Sequence, residues 1–188
     1  MDILIDLEAT CWERNEKNKH PYSEIIEICA IAINASFEII DEFSELIKPK
    51  VEPELSEYCI ELTGITQQNI DSARSFEEVI KSFDDWLFKL EKKDNPIKMI
   101  AWGNYDQILL RKNLLMSNAT GEVRKYYKRF INLQARFEKL KHISDGNCKL
   151  TKAMSIIGQS FEGKEHRGMA DAKNMLKVYK YLCSYKTR

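Results

Sequence analysis

No surplus of charge of either sign runs through this sequence: its 29 Lys and Arg equal its 29 Asp and Glu. A global field that would attract nucleic acid or an anionic surface is thereby excluded, and any grip on phosphate must come from a local patch or from bound metal. The five cysteines, Cys11, Cys29, Cys59, Cys148 and Cys183, contain no Cys-x-x-Cys pair. Structural zinc and dithiol redox chemistry drop out, and the cysteines read as reduced, mostly buried thiols. No Gly-x-Gly-x-x-Gly occurs, which argues against a nicotinamide-binding dehydrogenase. Internal repeats and low-complexity tracts are also missing. After Met1 the apolar stretch is interrupted by Asp2, leaving neither a secretory signal nor a spanning helix, so a cytoplasmic location away from any membrane is expected.

What is there is a globular composition, 44% hydrophobic over 188 residues, the usual size of one domain. Residues 1–188 are expected to form a single domain. Ile3-Leu4-Ile5-Asp6-Leu7-Glu8-Ala9 reads as a strand, and after a polar stretch Ile25 to Ile33 supplies a second β-branched run. Asn34-Ala35-Ser36 offers turn residues, and Phe37 to Ile47 is expected to return as the other arm of a hairpin. Ser75-Phe76-Glu77-Glu78 has the form of a capping box, followed by an apolar stripe through Phe76, Val79, Ile80, Phe83, Leu87 and Leu90. A buried strand from Lys98 to Trp102 leads into a helix from about Tyr105 to Asn118. A fifth strand is expected at 129–132, with helices at 133–141, 151–157 and 170–184. Strands that open as a meander and later alternate with helices predict an α/β domain with a mixed five-stranded sheet and helices on both faces.

The first strand carries the chemistry. Residues two apart on a strand share a face, so Asp6 and Glu8 project from the same side, about 7 Å apart along the chain. Two like charges flanked by apolar residues require a cation, a raised pKa or a shared proton, unless the strand is an edge with one solvated face. Asp106 follows the strand ending at Trp102, and Asp171 opens the last helix. Both positions suit a site in an α/β fold, and both also suit simple helix capping. His166 precedes Asp171 by five residues, with Gly168 between them to let the segment bend; a solvated loop histidine is the plainer alternative. Tyr58 and Leu62 lie four apart on an expected helix, placed either for core packing or to grip a base between ring and aliphatic chain. Basic side chains cluster at Arg124-Lys125-Tyr126-Tyr127-Lys128-Arg129, and again at Lys164 and Arg167. Such runs are usually solvated faces, but the first is a candidate guide for a nucleic-acid strand.

Asp6-x-Glu8, the later Asp106, and His166-x4-Asp171 together resemble the signature of the DEDDh branch of DnaQ-like 3′-5′ exonucleases. Glu8-Ala9-Thr10-Cys11-Trp12, Glu24-Ile25-Ile26-Glu27, Cys59-Ile60-Glu61-Leu62-Thr63-Gly64-Ile65-Thr66, Trp102-Gly103-Asn104-Tyr105-Asp106 and His166 to Asn174 are similar, in order, to the subgroup of the 3′ histone mRNA exonuclease and KapD-type proteins. The resemblance implies a ribonuclease H-like three-layer fold. It implies that Asp6, Glu8 and Asp171 ligate one divalent ion, that Asp6 reaches a second and that Asp106 supports the second through water. His166 would be the general base, with Glu8 helping to orient the attacking oxygen. Mg²⁺ or Mn²⁺ suits such carboxylate ligands. The terminal base would lie between Tyr58 and Leu62, with Ala9 and Thr10 at the sugar and phosphate and Trp102 as a further wall. The expected activity is metal-dependent release of nucleoside 5′-monophosphates from single-stranded RNA or DNA 3′ ends, RNA favoured. A phosphodiesterase for very short oligonucleotides, or a silent RNA-binding module, are the alternatives.

Overall fold

The computed structural model describes residues 1–16, 20, 22–92, 94–117, 119, 123, 125–126, 130–144 and 146–185. Strand β1 (Asp2–Ala9) pairs antiparallel with β2 (Ile25–Ile33), which pairs antiparallel with β3 (Ile39–Lys48). This is the expected meander. Two short helices follow, α1 (Glu57–Thr63) and α2 (Gln67–Asp71), then β4 (Arg74–Ser75) and α3 (Phe76–Leu90). The second half alternates: β5 (Lys98–Ala101), α4 (Tyr105–Met116), β6 (Phe130–Asn132), α5 (Leu133–Lys141), α6 (Leu150–Ile156) and α7 (Gly168–Tyr185).

The sheet runs β4-β3-β2-β1-β5-β6, with β5 parallel to β1 and β6 parallel to β5. Among the described residues it has six strands, not the expected five. The addition is the two-residue β4, which lies parallel to Ile47–Lys48. Two residues carry no readable alternation, and Ser75 also serves as the expected cap of α3. Its side chain accepts from the Glu78 amide at 3.4 Å, while Glu78 accepts from the Ser75 amide at 2.9 Å.

Alternation along β1 divides the interior. Ile3, Ile5 and Leu7 face a core with Val79, Ile80 and Phe83 of α3 and Leu109, Leu110 and Leu114 of α4. Leu4 faces the other layer, with Phe137 of α5, Met154 of α6 and Met175 and Val178 of α7. Asp6 and Glu8 continue the Leu4 face, so the layer that α7 covers ends in carboxylates. The β1–β2 register shifts between Glu8 and Ala9, which pair with Glu27 and Ile25 respectively. Such a bulge re-aims a strand at its functional end. Among the described residues, no helix is long and apolar enough to cross a membrane.

Candidate active site

A cleft of about 390 Å³ opens at the carboxyl end of β1, lined among others by Asp6, Glu8, Ala9, Leu62, Trp102, Asp106, His166 and Asp171. One carboxylate oxygen from each of Asp6, Glu8 and Asp171 lies within 4.8 Å of the others. Two acids of β1 and a third from the far end of the sequence therefore meet at one point.

Each is held there by local structure. The parallel ladder between β1 and β5 stops at Leu4 and Ile100. Beyond it, the Leu7 amide donates to the Asp106 carboxylate at 3.0 Å, so the unpaired end of the ladder fixes an acid beside the other two. Asp171 accepts from the Arg167 amide at 3.0 Å, satisfying one of the free donors at the start of α7. The helix comes close to the sheet because Gly168 has no side chain: a Cβ there would stand 2.9 Å from the Cys29 Cβ and 3.0 Å from its Sγ. Cys29 is the register partner of Asp6. Gly168 thus acts by close approach and not, as expected from sequence, by bending the chain. The bend is at His166 itself, with φ of +60°, an unusual region for a residue bearing a Cβ. The His166 loop is tied to the carboxyl end of α1, where Lys164 Nζ donates to the Glu61 carbonyl at 3.1 Å and Arg167 Nη1 to the Thr63 carbonyl at 3.3 Å. These two cations are spent on the scaffold.

Burial, and after it the charges of Asp106, Asp171, Glu8 and Glu27, hold the Asp6 carboxyl well above the usual carboxylate range. Burial and then Asp171 push Glu8 up to about 8. Asp106 rises to about 7 through burial, partly offset by the Leu7 amide. Asp171 rises to about 6 through burial, opposed by the Arg167 amide and by His166. Among the described residues, Glu27 Oε2 is buried without a hydrogen-bond partner, and Glu27 pairs with Glu8 in register. So much uncompensated anionic oxygen is the chemistry of a site for hard divalent cations, which carboxylates suit.

Thr10 and Tyr58 sit at the margin of this arrangement. Thr10 is only 2% exposed; its amide donates to the Glu24 carbonyl and its hydroxyl accepts from the Glu24 amide, both at 2.9 Å. Tyr58 is exposed on α1, one turn before Leu62, which lines the cleft. Trp102 is fixed by its indole N–H, which donates to the Cys148 carbonyl at 2.9 Å. Cys11, Tyr105, Lys149, Leu150 and Glu165 also line the cleft. Sequence reasoning missed these five. Only Tyr105, adjacent to Asp106, carried a usable signal. Of the basic run at 124–129, Arg124, Tyr127, Lys128 and Arg129 lie outside the described residues. Lys125 pairs with Glu91 at 2.8 Å, and Tyr126 is buried with its hydroxyl donating to the same carboxylate.

The RNase_T family model, described as Exonuclease, matches residues 3–179. The human 3'-5' exoribonuclease 1 is 30% identical over 178 residues, covering 93% of this chain and 50% of that protein. The Drosophila melanogaster 3'-5' exonuclease Snipper is 33% identical over 190 residues, covering 92% of this chain and 66% of that one. The chain thus spans between half and two thirds of these relatives. A solved structure of the nuclease domain of 3'hExo, a DEDDh family member, bound to rAMP, superposes with a TM-score of 0.89 at 28% identity, covering 98% of this chain and 92% of that one. The fold and acidic cleft define a nuclease of the α/β class. The chain belongs to the exonuclease family, in its DEDDh branch. That membership implies divalent metal ions at the acidic cluster.

Proposed function

We propose that this chain removes nucleotides one at a time from single-stranded 3′ ends, with RNA favoured over DNA, and that it does so with two Mg²⁺ or Mn²⁺ ions. The observation that carries this reading is the convergence of Asp6, Glu8 and Asp171 oxygens within 4.8 Å, in a cleft that His166 also lines. The preference for RNA is supported by the relatives, which include 3'-5' exoribonucleases.

Asp6, Glu8 and Asp171 would hold one ion, and Asp6 together with Asp106 the second. When bound, the pair would stabilise charge on the attacking and departing oxygens of an in-line displacement at phosphorus. The remaining work falls to the chain. Ala9, Leu62 and Trp102 confine the terminal nucleoside, whose contacts are base-tolerant because they are apolar or aromatic. Glu8 orients a water toward the terminal phosphodiester, and His166 accepts its proton. The water oxygen bonds to phosphorus as the bond to the neighbouring 3′ oxygen breaks. That oxygen leaves on the shortened strand and is protonated from solvent, and the product is a nucleoside 5′-monophosphate.

The test is digestion of a 5′-labelled single strand of RNA with Mg²⁺ or Mn²⁺. Stepwise shortening by the wild-type chain is expected, with loss of at least about 100-fold in both His166→Ala and Asp6→Ala, the range of general acid-base and metal contributions. Full activity in either variant, or an internal cleavage pattern, would overturn the reading.

A further inference from the structure

Helix α4 is amphipathic in an unusual sense. Its inward face buries Leu109, Leu110, Asn113 and Leu114. Its outward face, normally polar on a surface helix, carries Tyr105 (57% exposed), Ile108 (50%), Leu115 (68%) and Met116 (44%). With Lys112 these positions fall along one side of the helix at its 3.6-residue period, and Arg111 flanks them; both cations are exposed. The single acid on α4, Asp106, is on the buried face beside the Leu7 amide.

The stripe joins two cavities. At its amino end Tyr105 lines the catalytic cleft. At its carboxyl end Met116 lines a second cavity of about 400 Å³, which Lys48, Lys50, Phe76, Glu77 and Glu24 also border. The Glu24 carboxylate is already occupied there, accepting from the amides of Lys50, Val51 and Glu52 at 2.7 to 2.9 Å. From Tyr105 to Met116 the stripe is about 16 Å long at 1.5 Å per residue.

We propose that this face of α4 is the track for the nucleotides lying 5′ to the bond being cut, with bases packed on Ile108 and Leu115 and phosphates beside Arg111 and Lys112. The occupant is single-stranded nucleic acid because the stripe is continuous with the cleft through Tyr105, and because apolar contacts interleaved with cations, with no acid on the same face, match bases interleaved with phosphates. At about 3.4 Å per stacked nucleotide the stripe accommodates about five. The track rests on the exonuclease reading of the cleft.

The experiment compares the wild-type chain with Ile108→Ser, Leu115→Ser and Lys112→Glu on 5′-labelled RNAs of two to twelve nucleotides. For the wild type, kcat/KM is expected to rise with length and level off near six. Each variant is expected to raise KM on the twelve-mer by about tenfold, the scale of one lost apolar or phosphate contact, while leaving the dinucleotide within about twofold. No length dependence in the wild type, or equal losses on two and twelve nucleotides, overturns the track. Binding of a fluorescent twelve-mer in EDTA separates this outcome from failure of the cleft reading. If the wild type binds but does not cut, weaker binding by the three variants still supports the track, and unchanged or absent binding refutes it. A dimer that Leu115→Ser dissociates without any effect on RNA would assign the face to a second copy instead.

Discussion

Gly168 is the residue on which the geometry of the site turns most sharply. Its absent side chain lets the first turn of α7 rest on Cys29, and three residues later Asp171 reaches the Asp6 and Glu8 oxygens. In Gly168→Ala the added carbon must displace Cys29 or lift the helix, costing about 1 to 3 kcal/mol as overpacking does. Urea unfolding should register that loss, and Cys29→Gly should recover part of it in a double-mutant cycle, because Cys29→Ala would keep the atom that lies 2.9 Å away. An unchanged midpoint in Gly168→Ala would show that the contact does not constrain the helix. The sequence carried the carboxylates because strand periodicity alone places Asp6 beside Glu8. It did not carry the role of Gly168, since a glycine before a helix reads equally as a hinge or as a close approach. Nor did it carry the surroundings of Thr10 and Tyr58, which depend on the segment at Glu24 and on the rotation of α1, neither of which local pattern specifies.

At the scale of elements, the His166 loop is fastened to α1 rather than to α7 alone. Two cations meet carbonyls at the carboxyl end of a helix, where the backbone leaves acceptors unsatisfied and the dipole is negative. The double variant Lys164→Ala with Arg167→Ala should lower kcat by about tenfold through misplacement of the histidine. Its thermal midpoint should move little, because both side chains are exposed and such contacts contribute modestly. A large fall in the midpoint with kcat intact would identify the clamp as a stabilising element only. Elements themselves were readable where period and caps agreed, as in the β2–β3 hairpin and α3. β4 was not, because its two residues are recruited by pairing with β3, a tertiary event. In the described part of the basic run at 124–129, Lys125 is exposed and paired with Glu91 while Tyr126 belongs to the core.

For the molecule as a whole, the acidic site sets a dependence of stability on pH and metal. The carboxyl groups of Asp6, Glu8, Asp106 and Asp171 are all raised in the folded chain. The folded state therefore holds more protons than the unfolded state from about pH 4, and stability falls as pH rises toward about 8. Divalent ions replace those protons, so in EDTA the thermal midpoint should fall between pH 5 and pH 8, and Mn²⁺ should raise it more at pH 8 than at pH 5, with protons released on binding. A midpoint in EDTA that climbs over this range would contradict the sign. The mixed order of the sheet was legible from the succession of strands and helices, whereas the cavity beyond α4 was not, since it forms between segments distant in sequence. The same distance governs when the site comes into being. Asp6 and Glu8 leave the ribosome among the first residues translated from this stretch, Asp106 follows, and the imidazole and fourth acid come only with α7. Until that helix docks on β1, a growing polypeptide holds the acids of the site without the partner that completes it.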